Sequence, residues 1–310
     1  MYSFNPNNVY MKRLYFSLLL GALFTTTAGA QGVVNGYQMD STYMENDQKV
    51  RQYKYVFEYN SQNLCSTEYE YTYFMSETET LAYVVENTYN TNGIQIKEEE
   101  YDVVGSERTL ISKTECTEYG ADGLPHVYIS YEADDENPAA GLQPSMKMVV
   151  TKFHGTNLED YDIYQYEEGE WYKMGTVHTE FTSWGGVAKM TYTIEMYGMS
   201  MTSVETYEYD SHHNVVKETT EGMMGNTVST YENNYDSRDL LTSRKENTEG
   251  IDRVYISYFF WSKGGNNNLD AISQMKKTVR DYYDLNGRRL SGEPQHPGIY
   301  VLNGKKVILK

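Results

Sequence analysis

A six-residue frame recurs along this chain and limits what it can fold into. Tyr59-Asn60-Ser61-Gln62-Asn63-Leu64, Tyr89-Asn90-Thr91-Asn92-Gly93-Ile94 and Tyr119-Gly120-Ala121-Asp122-Gly123-Leu124 start at evenly spaced positions. Tyr209-Asp210 opens a copy with one extra residue, and Tyr235-Asp236-Ser237-Arg238-Asp239-Leu240 and Tyr283-Asp284-Leu285-Asn286-Gly287-Arg288 follow. Tyr166-Glu167-Glu168-Gly169-Glu170-Trp171 reads as a blurred copy between them. Asn, Asp and Gly tolerate positive φ and bond their own backbone, which a tight strand-to-strand turn requires. The flanks alternate as strands do: Tyr53, Tyr55, Phe57 and Tyr59 share one face, with Lys54 and Glu58 on the other. Tyr69, Tyr71 and Tyr73 alternate in the same way with Glu68, Glu70 and Thr72, and each Tyr stripe is expected to be the packed face. Internal repetition of a two-strand unit favours a meander in which each unit packs on its neighbours. The expected fold is all-β: an antiparallel meander of repeated β-hairpins forming one long twisted sheet, or two split near the loop at 133–144, with a small C-terminal β tail.

Composition agrees. The 310 residues include 32 Tyr against 9 Phe and 3 Trp, with only 6 Pro, a mixture suited to strands. Disordered chains are poor in aromatics, so this polar chain reads as folded.

The first 30 residues read as an export signal, with Met11 as the expected true start. Lys12 and Arg13 form a basic region, Leu14 to Phe24 an apolar one, and Ala28-Gly29-Ala30 precede Gln31 as a cleavage site. No later stretch approaches the ~20 apolar residues of a membrane helix, so no membrane span is expected. Residues 31–275 form the expected Tyr-rich repeat domain and carry 16 basic against 41 acidic residues. Such a balance repels nucleic acid and anionic lipid, which both need a basic footprint.

Cys65 and Cys116 are the only cysteines, and in an exported protein they are either bridged or free. In a flat meander their strands lie three positions apart, roughly 14 Å at strand spacing. A bridge needs Cα atoms within about 7 Å, so it would require the sheet to curl, close or stack. No nucleophile elbow, metalloprotease helix or phosphate-cradling loop is present. His212-His213 reads as a solvated turn, and no metal or cofactor is expected. Paired carboxylates on a β scaffold keep a glycan-active enzyme as the alternative, since 44 acidic residues offer many candidates. Trp171, Trp184 and Trp261 are the candidate binding residues, because exposed indoles and Tyr faces suit glycans or surface proteins.

The end of the chain carries a specific likeness. Tyr283-Asp284-Leu285-Asn286-Gly287-Arg288, then Gly298-Ile299-Tyr300, then Asn303-Gly304-Lys305-Lys306 resemble the C-terminal sorting signal of type IX secretion in Bacteroidota. The resemblance covers 279–310 and implies a small β domain read by the type IX export machinery, with Tyr283, Asp284, Gly287, Arg288, Gly298, Tyr300, Gly304 and Lys305 as its motif. The Tyr-Asp turns are also similar to the YD repeats of Rhs-type shell proteins, which implies only β-repeat character. The chain as a whole resembles exported Tyr-rich β-repeat proteins of Bacteroidota. The sequence therefore points to an exported, non-enzymatic protein that binds or builds at the cell surface or outside the cell, or in the periplasm if the tail is not used.

Overall fold

A computed structural model of the chain describes residues 33–73, 78–133, 140–196, 198–222, 225–251, 254–263, 282–283, 298–302 and 305–309. The export signal, with Ala30 and Gln31, lies outside the described residues. The chain divides into two compact units, Met1–Gly264 and Gly265–Lys310.

In the first unit the short β1 (Val33–Val34) turns at Asn35-Gly36 into β2 (Tyr37–Asn46). There follow β3 (Arg51–Tyr59), β4 (Cys65–Thr72), β5 (Thr80–Tyr89), β6 (Gln95–Val104), β7 (Glu107–Tyr119), β8 (Pro125–Ala133) and β9 (Leu142–His154). The second half holds β10 (Asn157–Glu167), β11 (Glu170–Phe181), β12 (Val187–Met196) and β13 (Met199–Tyr209). It ends with β14 (Val215–Glu221), β15 (Thr227–Tyr235), β16 (Leu241–Thr248) and β17 (Val254–Lys263). From β2 to β17 every strand pairs antiparallel with its sequence neighbours. The last then pairs with the first, over Tyr255↔Asn46 to Lys263↔Tyr37.

The sheet is therefore a closed barrel of sixteen strands among the described residues, and the expected open sheet is wrong. The sheet also continues from β8 to β9, which pair from Val127↔Val149 to Ala133↔Leu142, so it is not split at 133–144. Closure has a physical reason. An open meander of this length leaves two edges of unpaired N–H and C=O groups, and joining β17 to β2 satisfies both. At strand spacing, sixteen tilted strands of circular section enclose a tube on the order of 30 Å across between opposite backbones.

The recurrent frame forms one end of this barrel. Six turns share a single geometry: the first residue's N–H donates to the carbonyl of the fifth, and the fourth donates back to the first, as in Asn60→Leu64 (2.9 Å) and Asn63→Asn60 (3.0 Å). The fourth residue has positive φ in all six: Asn63, Gly93, Gly123, Gly185, His213 and Asp239. Except in the turn led by Gly120, the leading side chain caps the loop, so that Asp210 Oδ1 accepts from the amides of His212 and Asn214 and Asp236 Oδ1 from those of Arg238 and Leu240. The Tyr before the turn reaches back over the preceding hairpin. Tyr59 donates to Met39 O (2.9 Å), Tyr89 to Cys65 O (2.8 Å) and Tyr209 to Val187 O (2.6 Å). Trp261 plays the same part toward Leu241 O (2.7 Å). Tyr119 departs from the frame: it is 52% exposed, and Tyr128 makes the equivalent bond, to Gln95 O. Tyr166 and Trp171 belong to the opposite end, where Glu168-Gly169 make a two-residue hairpin.

One apolar cluster of the first unit lies on β9 to β13, around Val150, Tyr161, Val177, Val187, Met190 and Tyr207. The second unit is a three-stranded sheet of β18 (Tyr282–Tyr283), β19 (Gly298–Leu302) and β20 (Lys305–Leu309). Tyr283, Gly298, Tyr300 and Lys305 of the sorting motif fall on these strands, while Asp284, Gly287, Arg288 and Gly304 lie outside the described residues.

Candidate functional site: the inner wall of the barrel

Cross-strand partners share a face of the sheet, so assigning one residue assigns the whole wall. Tyr55 pairs with Glu70, Phe57 with Glu68, Asn87 with Glu98 and Val85 with Glu100. Further round the same face come Tyr161↔Val177, Val177↔Tyr192, Met190↔Glu205, Tyr207↔Glu218, Tyr231↔Glu246 and Asn233↔Arg244. Burial identifies this as the enclosed face, because loss of solvation is the leading influence on Glu68, Glu70, Glu98, Glu205, Glu218 and Arg244. The opposite face carries ion pairs that are half-exposed or exposed: Lys97–Glu99, Lys113–Glu115, Lys173–Asp162, Lys189–Glu180, Lys217–Glu208 and Lys245–Glu232.

β4 and β6 give the inner wall an acidic patch. Burial, with Glu70 and Glu98 nearby, pushes the Glu68 carboxyl up to about 8. Burial and Glu100 push Glu70 up to about 7. Glu98 is also raised by burial, against a hydrogen bond from Gln95 Nε2 (3.0 Å) that favours its ionised form. These side chains border the lumen yet have wall on every other side, so they keep some water and lose most of it.

The opposite stretch of wall, on β12 to β16, pairs tyrosines with carboxylates. Tyr207 donates to Glu205 (2.9 Å), Tyr192 to the same carboxylate (3.4 Å) and Tyr231 to Glu218 (3.0 Å). Burial raises both carboxyls, and the phenols oppose that rise. Arg244 lies beside them, with Nε on Asn233 Oδ1 (3.0 Å) and Nη2 on Asn214 Oδ1 (3.4 Å).

The structure does not gather the three Trp expected to bind. Trp171 sits on the outer wall against Tyr166, with Lys147 over its ring. Trp261 is used in the turn-end bonding above. Trp184 is 41% exposed on the 182–186 turn, edge-on to Tyr209 and 4.3 Å from His213. Its role follows from Gly186, where an added Cβ would lie 2.0 Å from the Trp184 ring. Four of the six turns end in Leu or Ile (Leu64, Ile94, Leu124, Leu240), and here the indole occupies that space over a glycine. Gly186→Leu is expected to evict it. In a background with Trp171 and Trp261 changed to Phe, Trp184 emission shifts to the red while stability moves by no more than about 1 kcal/mol; an unshifted spectrum would contradict the exchange.

Cys65 and Cys116 are free thiols on β4 and β7, with two strands between them, and burial pushes the Cys65 thiol up to about 12. On the outer wall Glu159, Asp160 and His178 place donor atoms within 4.8 Å of one another. Lys152 already pairs with Glu159 and His178 Nδ1 with Asp160, so ion pairing accounts for the group.

Paired carboxylates carry the alternative of a glycan-active enzyme, and the inner wall brings Glu68, Glu70 and Glu98 near one another. Glycoside hydrolysis needs one carboxyl held as the acid and its partner held ionised. Glu68, Glu70 and Glu98 all rise together, and no cation is among the influences that would hold one of them ionised. The acidic patch and Arg244 were not legible as sites in the sequence; their only trace was the Tyr-Glu alternation, whose inward side was assigned to Tyr.

No family model and no curated protein matches the chain. Among solved structures it is similar to a porin-like protein from Bacteroides uniformis, at 9% identity and a TM-score of 0.44, over 72% of this chain and 96% of that one. It is also similar to the Photorhabdus luminescens Tc holotoxin pore at 9% identity and a TM-score of 0.29, and to a TcdB2-TccC3 structure at 10% and 0.22. The chain spans 20% and 19% of those two toxin chains. Likeness at this level assigns no activity.

Proposed function

We propose that this is an exported, non-enzymatic binding protein that takes a glycan into the lumen of a water-soluble barrel. The polarity of the two walls carries the reading. A barrel embedded in lipid faces the bilayer with an apolar band, and a Lys or Arg at its midplane costs about 2–4 kcal/mol. Here the directly opposed pairs Glu99↔Lys113 and Glu232↔Lys245 stand at mid-strand on the outer face, where water suits them. The inner wall combines tyrosine rings, which stack on sugar rings, with phenols and carboxyls that bond hydroxyls. The tail at 279–310 supports delivery to the cell surface or medium through the type IX machinery.

Two measurements test this. In fractionated cells the full chain is expected at the surface or in the medium and to be released by an alkaline carbonate wash, whereas the chain lacking 279–310 stays in the periplasm. Retention through the wash would defeat the soluble barrel, and unchanged display without the tail would defeat its role in sorting. A glycan array probed with the intact chain should show binding that Glu70→Trp, which puts an indole in place of a lumen-facing carboxyl, weakens and that Lys189→Glu on the outer wall leaves unchanged. Loss of binding through Lys189→Glu alone would place the site outside.

A further inference from the structure

Arg244 is the one cation whose register places it mid-strand on the inner wall among the described residues, and nothing neutralises it by contact. No carboxylate lies within ion-pair distance of it among those residues; its two bonds go to the amide oxygens of Asn233 and Asn214. The nearby acids are taken up elsewhere. Asp210 accepts from Tyr235, from Asn233 Nδ2 (3.0 Å) and from two turn amides, and Glu246, two residues along β16, accepts from Thr248 Oγ1 (3.3 Å). A guanidinium has five N–H donors in a planar fork, so three of them have no partner here. No buried side-chain nitrogen lacks a partner among the described residues, so Nη1, which has none, is open to water. The guanidinium is held over the Tyr231 ring, 5.4 Å from its centroid, and 6.0 Å from that of Phe259. Asn233 fixes its orientation, itself tied to Asp210 and to Val215 O (3.1 Å). Burial lowers the Arg244 pKa and outweighs the opposing influence of Tyr231, Tyr235, Asp210 and Glu246.

We infer that Arg244 binds the carboxylate of an acidic sugar, resting on the lumen-binding reading above and narrowing its ligand to a uronate-bearing glycan. A carboxylate matches the open fork bidentately, and the flanking Tyr231 and Phe259 rings suit the apolar face of a sugar. The amides of Asn214 and Asn233 orient the guanidinium without cancelling its charge, which a carboxylate in their place would do.

The test uses calorimetry on the intact mature chain with tetragalacturonate and its carboxyl-reduced form as probes. The acidic probe should bind at least about tenfold more tightly than the reduced one, the range of a charge-assisted pair. Arg244→Gln should erase that preference while leaving affinity for the reduced probe unchanged. Arg244→Lys, which keeps the charge and loses the fork, should fall between; it also serves if the Gln variant fails to fold. Equal binding of both probes by the native chain overturns the carboxylate assignment and leaves the lumen reading standing. Preference that survives Arg244→Gln also overturns it, as does binding of neither probe, and the glycan array decides the lumen reading separately.

Discussion

Gly175→Val is expected to destabilise the barrel by about 3 kcal/mol or more, the largest effect of any single substitution considered. Gly175 lies on the inner face of β11 opposite Ile163 and Ile194, beside the register shift that follows Ile163. A Cβ built there would stand 2.1 Å from the carbonyl oxygen of Thr193. That oxygen belongs to the neighbouring backbone and cannot swing away as a side chain would, so relief requires β11 and β12 to separate. The separation would strike the apolar cluster, since Val177 and Met190 belong to those two strands. Urea unfolding should show a lower midpoint; a midpoint equal to that of the native chain would show that the strands are not packed as described.

The second large effect is on pH. Glu68 and Glu70 have carboxyls raised to about 8 and about 7, above their ordinary value of 4.5. The folded chain therefore holds protons between pH 4.5 and 8 that the unfolded chain has released, and stability must fall as pH rises through that window. The groups held low, Asp122, Asp210 and Asp236 among them, act below that window. Lumen water screens part of the effect, so Glu68 is expected to contribute about 2 kcal/mol across the window. The native chain should have its higher urea midpoint near pH 5 and its lower one near pH 8. Glu68→Gln, neutral throughout, should flatten a large part of that slope and stabilise the chain at the upper end. A native midpoint that is level or rises toward pH 8 would mean that the acidic patch is solvated and faces outward.

Both effects arise on a wall whose inward direction cannot be read from one strand at a time. Tyr53 to Tyr59 on β3 and Tyr69 to Tyr71 on β4 look like two copies of one packed stripe. They lie on opposite faces: Tyr55 shares the inner wall with Glu70, and Tyr69 and Tyr71 share the outer wall with Val56 and Lys54. The cause is one residue of register. Tyr59 pairs with Cys65, but Glu58 pairs with Thr67, so Ser66 is an extra residue beside the turn. Such a bulge exchanges the faces of everything beyond it. The same shift stands at Thr88/Tyr89, Glu180/Phe181, Glu208/Tyr209 and Asn234/Tyr235. It put Glu68 and Glu70 into the lumen and set the Tyr69 and Tyr71 stripe against water.

What the sequence alone determined is therefore local. Asn, Asp and Gly in the recurrent frame, with a Tyr before it, dictate the turns, because a capping oxygen and a tolerance for positive φ act within five residues. Strand alternation and the two-strand unit follow from the same short range. What only the tertiary structure decided is closure and polarity: whether β17 meets β2, and which side of each strand is inside. Closure depends on twist summed over sixteen strands, and polarity on a bulge that shifts register by one. Neither is carried by any single stretch of residues, and together they turn a surface of alternating Tyr and Glu into a lumen with Arg244 on its wall.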